Sequence, residues 1–350
     1  MLWGIFVHAG TLGNSTAFNQ LSQVSGWFRM EAFFVVSGLF SYMLIRKYDT
    51  KTYLYRRVIS LGVPLLVALI FLNPITNFLI YIFHNTPISF LQFLKQDFAL
   101  PISGPFIWHL HLWFLFVLII YSFLTPLLYL FIKRLPELDS QFSKGKNAFL
   151  TFGIITFLGC VATLGGRVLF EFFVESRVPG ELNYIIRSLL YFIPFYFLGM
   201  YFFHSKSAMQ SFHRPQWAHL FLAIIAMVVS DTIFDLLPKQ LAETLKLCSE
   251  FYFGLMLSNL MFYLFSVCFS KKNNKMRVIS DSAYSVYLLH FIIIYSFASL
   301  LHSSIKNSTI LMVIVSLLTL IVTISFYCLC IRHSKVLLLL LNGKWSYNKK

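Results

Sequence analysis

Long apolar runs alternate with short polar connections along the whole chain. Ten of these runs are long enough, or nearly so, to cross a bilayer core of ~30 Å at about 20 residues each. We place them near residues 1–13, 30–45, 58–83, 107–132, 148–169, 184–203, 217–237, 248–269, 283–302 and 308–331. The pattern predicts an all-α fold, a polytopic membrane helical bundle of about ten transmembrane helices, in which residues 1–350 form a single membrane domain.

The composition agrees with a membrane protein. Apolar residues make up 58% of the chain and charged residues only 12%, whereas a soluble domain has roughly 45–50% apolar and about 25% charged residues. The net charge of +15 is not gathered into one arm or face. We therefore expect a lipid bilayer and no nucleic acid among the partners.

The positive charges predict the orientation of the chain. Twenty of the 28 Lys and Arg residues lie in alternate connections, which the positive-inside rule assigns to the cytoplasm. Both termini are then cytoplasmic. These basic connections are 46–57, 133–147, 204–216, 270–282 and the tail after 331. The outward connections are then 14–29, 84–106, 170–183, 238–247 and 303–307.

Familiar soluble motifs are missing. The five Cys residues are scattered without a zinc-binding spacing, and the sequence has no Walker A motif, dinucleotide-binding fingerprint or nucleophile elbow. We expect no metal site and no bound cofactor.

Polar and ionisable side chains inside the apolar segments, or at their ends, are the candidates for function, because they are costly in lipid. They are His8, Arg29, Glu31, Arg56, Arg57, His111, Trp113, Arg187, Tyr287 and His290.

Several of these candidates also have structural interpretations. His8 would then form a hydrogen bond with a neighbouring carbonyl, and Arg57 would only help to set the orientation of the chain in the membrane. Arg29 and Glu31 would form a local ion pair. Ser37 and Gly38 are expected to let two helices approach closely.

Several stretches of the sequence resemble acyltransferase family 3, a family of integral membrane O-acyltransferases. The likeness is greatest to its glucan biosynthesis protein C branch, which succinylates osmoregulated periplasmic glucans. The run from Phe28 to Leu66 is the most branch-specific part. The stretches are "MLWGIFVH", "FRMEAFFVVSGLFSYML", "RRVISLGVPLL", "HLWFLFVLIIY", "YFIPFYFLGMYFF", "SAYSVYLLH" and "LLLNGK".

The resemblance implies an enzyme of the bacterial inner membrane. It would move a succinyl or acetyl group from a cytoplasmic acyl-CoA to hydroxyls of a periplasmic or surface glycan, and glucan synthase machinery would be a partner. His8 matches the catalytic histidine of the family. Arg57 matches a basic residue that meets the phosphates of coenzyme A.

The chemistry of the candidate residues suits this reaction. A histidine can remove the proton of a sugar hydroxyl near neutral pH, and Arg29, Tyr287 or His290 could donate to the oxyanion. Guanidinium groups of Arg56 and Arg57 suit phosphates. We therefore assign catalysis to His8 and Glu31. We assign substrate binding to Arg29, Arg56, Arg57, His111, Trp113, Arg187, Tyr287 and His290.

Two positions depart from the family pattern. The family has an Arg eleven residues before its histidine, a position that would precede Met1. The first apolar segment, 13 residues long, also reaches only ~20 Å. We expect that the true start lies upstream and supplies this Arg. The family often has a second Arg three residues after the one at Arg57, where this chain has Ser60.

Two other functions fit the sequence. One is O-acetylation of lipopolysaccharide or capsule, because the sequence does not separate acetyl from succinyl donors. The other is a glycan transporter or flippase with a broken helix around Pro64 and Pro74, against which stands the lack of an internal repeat.

Overall fold

The computed structural model describes residues 2–95, 103–138, 145–175, 177–178, 180–269 and 273–345. All regular structure in these ranges is helical, which confirms the all-α fold class. Parts of five predicted connections or tails, at 96–102, 139–144, 176 and 179, 270–272 and 346–350, lie outside the described residues.

The α-helices follow one another with short turns. They are α1 (Trp3–Ala9), α2 (Thr16–Gly26), α3 (Arg29–Lys47), α4 (Thr50–Arg57), α5 (Val63–Val67), α6 (Asn73–His84), α7 (Phe90–Lys95), α8 (Trp113–Ile132), α9 (Gly145–Phe173), α10 (Gly180–His204), α11 (Lys206–Phe212), α12 (Trp217–Thr232), α13 (Lys239–Cys268), α14 (Asn274–Leu301), α15 (Ser308–Leu329) and α16 (Lys335–Asn342).

Eight helical stretches of the described residues are long and apolar enough to cross a membrane, as a polytopic helical membrane protein requires. Each overlaps one of the ten predicted segments. They are Thr16–Lys47, Thr50–His84, Leu110–Ile132, Asn147–Phe173, Gly180–His204, Lys239–Cys268, Met276–Leu301 and Ser308–His333.

The first and seventh predicted segments are shorter than expected. The first contains α1, of 7 residues, followed by a 3-10 turn over Gly10–Leu12. The seventh contains α12, of 16 residues, which ends at Thr232. Asp231 near that end is half-exposed and forms an ion pair with Lys246 at 3.2 Å. At 1.5 Å per residue, 16 residues reach ~24 Å, which is less than the bilayer core.

The connection predicted at 14–29 instead contains helix α2. Its apolar residues recur at helical spacing, since Phe18, Leu21 and Val24 follow one another at intervals of three. Phe18 and Ser25 are buried. The polar residues between its apolar positions led to the prediction of a connection here.

The helix predicted to break around Pro64 and Pro74 continues from Thr50 to His84. A π-helical turn precedes each proline, at Val58–Gly62 and at Ala68–Leu72. Proline lacks the N–H that an α-helix needs and crowds the preceding turn. Wider turns therefore let the helix continue, and such turns occur frequently at functional sites.

The chain divides into two compact units. The first unit contains the described residues of 1–25, 55–119 and 272–350, and the second contains those of 26–54 and 120–271.

The core of the first unit joins α1, α14 and α15. Ile5, Ala9, Ile294, Tyr295 and Met312 are all at most 1% exposed and pack in one cluster. The cluster holds α1 against two long helices although α1 itself is short.

The second unit depends on close contact between α3 and α10. A side chain at Gly38 would collide with the backbone of Tyr196, and one at Gly199 would collide with the backbone of Val35. The two glycines therefore let the helix backbones touch, which confirms the expected close approach at Gly38.

Candidate active site

Three histidines from distant parts of the chain meet in the first unit. We call His8, His111 and His290 the histidine cluster. Their ring centroids lie 5.1 Å apart for His8 and His290, 4.7 Å for His111 and His290, and 6.0 Å for His8 and His111. The sequence identified each residue separately, and the structure brings them together.

An unusual backbone conformation presents His111. Leu110 has a φ of 44°, in the left-handed region that residues other than glycine rarely adopt. It begins the 3-10 turn Leu110–Leu112 that precedes α8. His109 and His111 on either side are buried, at 1% and 7% exposure. Left-handed strain of this kind clusters at functional sites.

The carbonyl oxygen of Tyr287 holds two members of the cluster. It lies 2.9 Å from Nε2 of His111 and 2.7 Å from Nδ1 of His290. A carbonyl oxygen only accepts hydrogen bonds, so both nitrogens carry a hydrogen. In the neutral rings, Nδ1 of His111 and Nε2 of His290 therefore carry lone pairs. The phenol of Tyr287 donates in turn to the backbone oxygen of His111 at 2.7 Å.

The cluster has one apolar wall. The ring of Phe291 stacks on His111 with a centroid distance of 5.0 Å and an interplanar angle of 6°. The same ring lies 4.7 Å from that of His8. Nδ1 of His111 is buried and has no hydrogen-bond partner among the described residues. A buried polar atom without a partner costs about 1–3 kcal/mol, and this nitrogen can accept a hydrogen bond from a suitably placed donor.

A chain of hydrogen bonds fixes the backbone at His8. Thr11 Oγ1 donates to the carbonyl oxygen of His8 at 2.7 Å. Its single hydrogen is then used, so the Tyr295 hydroxyl must donate to Thr11 at 2.9 Å, and Nε2 of His84 to Tyr295 at 3.3 Å. The chain ends on a backbone oxygen. It therefore positions α1 and does not carry protons to the imidazole of His8.

The basic residues predicted to bind the donor lie at the end of α4. Arg56 is exposed and Arg57 is half-buried, directly before the first π-helical turn. The charge of Arg57 acts on the phenol of Tyr284, whose oxygen is buried without a hydrogen-bond partner among the described residues. These groups form a basic site within the first unit.

The "LNGK" part of the C-terminal motif docks beside this basic site. Gly343 ends α16 with a φ of 62°, and a side chain there would collide with the backbone of Ser60 in the π-helical turn. Asn342 Nδ2 donates to the carbonyl oxygen of Asp281 at 3.0 Å, and Ser285 Oγ donates to that of Leu341 at 3.2 Å. The motif thus joins α14 to the turn that follows Arg57.

The second unit contains the remaining candidates. Glu31 is 4% exposed, and one of its carboxylate oxygens has no hydrogen-bond partner among the described residues. Gly254 makes room for it, because a Cβ there would lie 2.9 Å from Cγ of Glu31. The charge of Arg29 acts on Glu31.

The predicted site residues therefore fall into two sets. His8, Arg56, Arg57, His111, Trp113, Tyr287 and His290 belong to the first unit, and Arg29, Glu31 and Arg187 belong to the second. Trp113 begins α8, two residues after His111. The supporting residues Thr11, His84, Phe291, Tyr295 and Gly343 were not among the predicted site residues. Of these, only Gly343 lies in a motif that the sequence resemblance had marked.

Comparison with known proteins gives a consistent result. A family model described as an acyltransferase domain, that of acyltransferase family 3, matches residues 1–328. The protein named Glucans biosynthesis protein C from Salmonella paratyphi B is 26% identical over 249 residues, which cover 65% of the chain and 62% of that relative. Proteins of the same name from Salmonella heidelberg and Salmonella dublin match at 26% identity over 252 and 249 residues, with the same coverage. The match thus spans about three-fifths of the length of these relatives. No solved structure matches the chain.

Proposed function

The chain belongs to acyltransferase family 3, and from this membership we propose that it is a membrane O-acyltransferase. It moves an acyl group from a cytoplasmic acyl-CoA to a hydroxyl of a glycan. The observation that carries the proposal is the histidine cluster, in which His8 lies against two imidazoles of fixed orientation.

His8 acts as the general base. It takes the proton of the sugar hydroxyl while the hydroxyl oxygen attacks the thioester carbonyl carbon, and the carbon–sulfur bond then breaks. The thiolate of coenzyme A leaves and accepts that proton from His8, so the products are an ester and a free thiol, and His8 is again neutral. A positioned base of this kind contributes roughly 10²–10⁴-fold to the rate.

The neighbouring imidazoles support this role of His8. At the 5.1 Å between the rings of His8 and His290, two positive charges would repel by about 3 kcal/mol at an effective dielectric constant of ~20. The cluster therefore favours at most one positively charged ring at a time. The lone pairs of the neutral His111 and His290 favour placing that charge on His8 during the reaction, while the Tyr287 carbonyl keeps both rings in place.

Arg56 and Arg57 bind the phosphates of the donor. Guanidinium groups bind phosphate bidentately, and both residues end the same helix next to a π-helical turn. Docking of Gly343 on Ser60 stabilises that turn. Trp113 and the aromatic ring of Tyr287 complete the binding of the acyl group beside His111.

The acceptor is a glycan on the outer side of the bacterial inner membrane. The names of the Salmonella relatives support a glucan, and the family branch supports succinyl, with acetyl as the alternative acyl group. Glu31 has a buried carboxylate oxygen with no hydrogen-bond partner among the described residues. We propose that this oxygen and Arg29 bind hydroxyl groups of the acceptor.

The experiment is mass spectrometry of the periplasmic glucans and lipopolysaccharide from a strain that lacks the gene. We expect an acyl mass increment on the glucan to disappear and to return with the wild-type gene but not with His8→Ala. If the acyl increment disappears from lipopolysaccharide instead, lipopolysaccharide and not the glucan is the acceptor. Unchanged acylation of every glycan would contradict the proposed function.

A further inference from the structure

The second unit contains a cavity of about 390 Å³ that the histidine cluster does not use. It lies between the second half of α9, the first half of α10 and the first half of α13. Its volume falls within the range of roughly 300–1,000 Å³ that is typical of small-molecule sites. We call it the charged cavity, because seven of its lining residues are charged.

One part of the cavity wall is an ion-pair network. Arg167 pairs with Glu171 at 2.6 Å and also with Glu243. Lys246, another lining residue, pairs with Asp231 at 3.2 Å. The charges of these side chains are therefore paired with one another, and the pairs form part of the wall.

Two other charged residues of the wall are not satisfied in this way. Arg187 and Glu250 line the cavity and act on each other electrostatically, yet no direct ion pair or hydrogen bond of their side chains is present among the described residues. Arg187 is exposed and Glu250 is half-buried. A guanidinium and a carboxylate that face the same cavity can together bind groups that both donate and accept hydrogen bonds.

Aromatic side chains supply the rest of the recognition surface. Phe170, Tyr191 and Phe234 line the cavity. The charges of Glu31 and Glu250 both act on the phenol of Tyr191. Aromatic rings offer apolar faces to the C–H groups of a sugar ring.

The balance of charge selects the class of ligand. Three cations and four carboxylates line the cavity, the latter being Glu171, Glu175, Glu243 and Glu250. An anionic ligand, such as a phosphate-bearing acyl donor, would meet a slightly negative wall. A neutral ligand rich in hydroxyl groups can use both signs of charge and the aromatic faces.

We propose that the charged cavity binds the neutral glycan acceptor, with Arg187 and Glu250 bonding its hydroxyls and Phe234 packing against a sugar ring. The inference rests on the proposed function, because it names the substrate that this cavity holds. Neither the family match nor the names of the relatives assigns a role to these residues.

The test is equilibrium binding of a radiolabelled, unmodified linear β-glucan oligosaccharide to the full chain in lipid nanodiscs, without any acyl donor. Arg187→Gln and Glu250→Gln should each weaken binding about ten-fold or more, which is the usual loss for hydrogen bonds to a charged group. Their matched controls, Arg177→Gln and Glu181→Gln, change exposed residues that do not line the cavity and should leave the affinity unchanged.

A third variant tests the aromatic face. Phe234→Leu keeps the apolar bulk but removes the ring, and it should weaken binding several-fold. Thermal melting of each variant verifies that the fold is intact. The same oligosaccharide carrying succinyl groups should compete less well than the neutral one, because the wall repels added carboxylates.

Two results would overturn the proposal. One is equal affinity of the folded wild-type, Arg187→Gln and Glu250→Gln proteins for the oligosaccharide. The other is failure of the wild-type protein to bind the oligosaccharide, which includes the case in which the cavity binds only phospholipid headgroups. Acyl transfer to the glucan is measured in parallel, so a protein that transfers acyl groups but fails these binding tests loses the cavity assignment and keeps the proposed function.

Discussion

The histidine cluster and the charged cavity hold their polar groups by different means. In the cluster, His111 and His290 both donate to one backbone carbonyl, and Thr11 fixes the backbone of His8. In the cavity, Arg167 pairs with the carboxylates of Glu171 and Glu243, while Arg187 and Glu250 make no direct pair among the described residues. A backbone carbonyl sets the position of a ring closely, whereas paired side chains can rearrange around a ligand.

The difference indicates a division of work between the two regions. Acyl transfer requires the base within hydrogen-bond reach of the attacking hydroxyl, so fixed imidazoles suit the chemical step. Binding of a chain of similar sugar units tolerates rearrangement of the side chains that contact it. Changes in the cluster should therefore lower kcat, and changes in the cavity should raise the acceptor KM.

The largest effect is expected from His8→Ala. Removing the general base should lower kcat for acyl transfer by roughly 10²–10⁴-fold, with little change in KM for either substrate. The rate is measured with radiolabelled acyl-CoA and purified protein. His302→Ala, which changes an exposed histidine just beyond α14, should retain the wild-type rate. Substantial transfer by His8→Ala would remove His8 from the mechanism.

The next effect concerns the donor. Arg57→Ala should raise the KM for acyl-CoA about ten-fold, because charge-assisted bonds to phosphate are lost equally in the ground and transition states. The limiting rate and the acceptor KM should stay close to wild type. Lys335→Ala removes an exposed charge of the same unit and serves as the control. An unchanged KM in Arg57→Ala would mean that this charge serves only membrane topology.

A smaller effect is expected from Gly343→Ala. The substitution places a side chain at positive φ and against the backbone of Ser60, which should cost about 1–3 kcal/mol of stability. The KM for acyl-CoA should rise as well, because the π-helical turn after Arg57 shifts. Gly165→Ala, at a helical position with open space around it, should preserve both the melting temperature and KM. A Gly343→Ala protein with wild-type stability and donor affinity would refute this role of the docked C-terminal helix.

The smallest effect is expected from Tyr287→Phe. It removes only the hydroxyl that donates to the backbone of His111 and leaves the carbonyl that holds both rings. A single hydrogen bond of this kind contributes about 1 kcal/mol, so kcat should fall about five-fold while both KM values hold. A rise in the acceptor KM instead would show that the Tyr287 hydroxyl binds the glycan directly.

Much of the fold could be predicted from the sequence, because the apolar runs are long and unmistakable. Eight of the predicted segments correspond to helices long enough to span a membrane. The exceptions follow from local physics. Hydropathy alone could not show that α12 stops at Thr232 or that two π-helical turns carry one helix past Pro64 and Pro74.

The members of the candidate site were predictable, but their arrangement was not. His8, His111 and His290 stood out because ionisable groups in apolar segments are costly. Their meeting depends on the left-handed backbone of Leu110 and on the carbonyl of Tyr287, features that no side-chain pattern reveals. The expected partnership of His8 with Arg29 and Glu31 stays a prediction, since those two residues belong to the second unit.

The most direct test of the central claim is acyl transfer across a membrane by the purified protein. Proteoliposomes carry radiolabelled succinyl-CoA or acetyl-CoA on the side of Arg57 and an unmodified β-glucan on the other, with the His8→Ala protein as the blank. We predict that label reaches the glucan as an ester only with the wild-type protein. No labelled glucan with either donor, or equal labelling by the wild-type and His8→Ala proteins, would contradict the account.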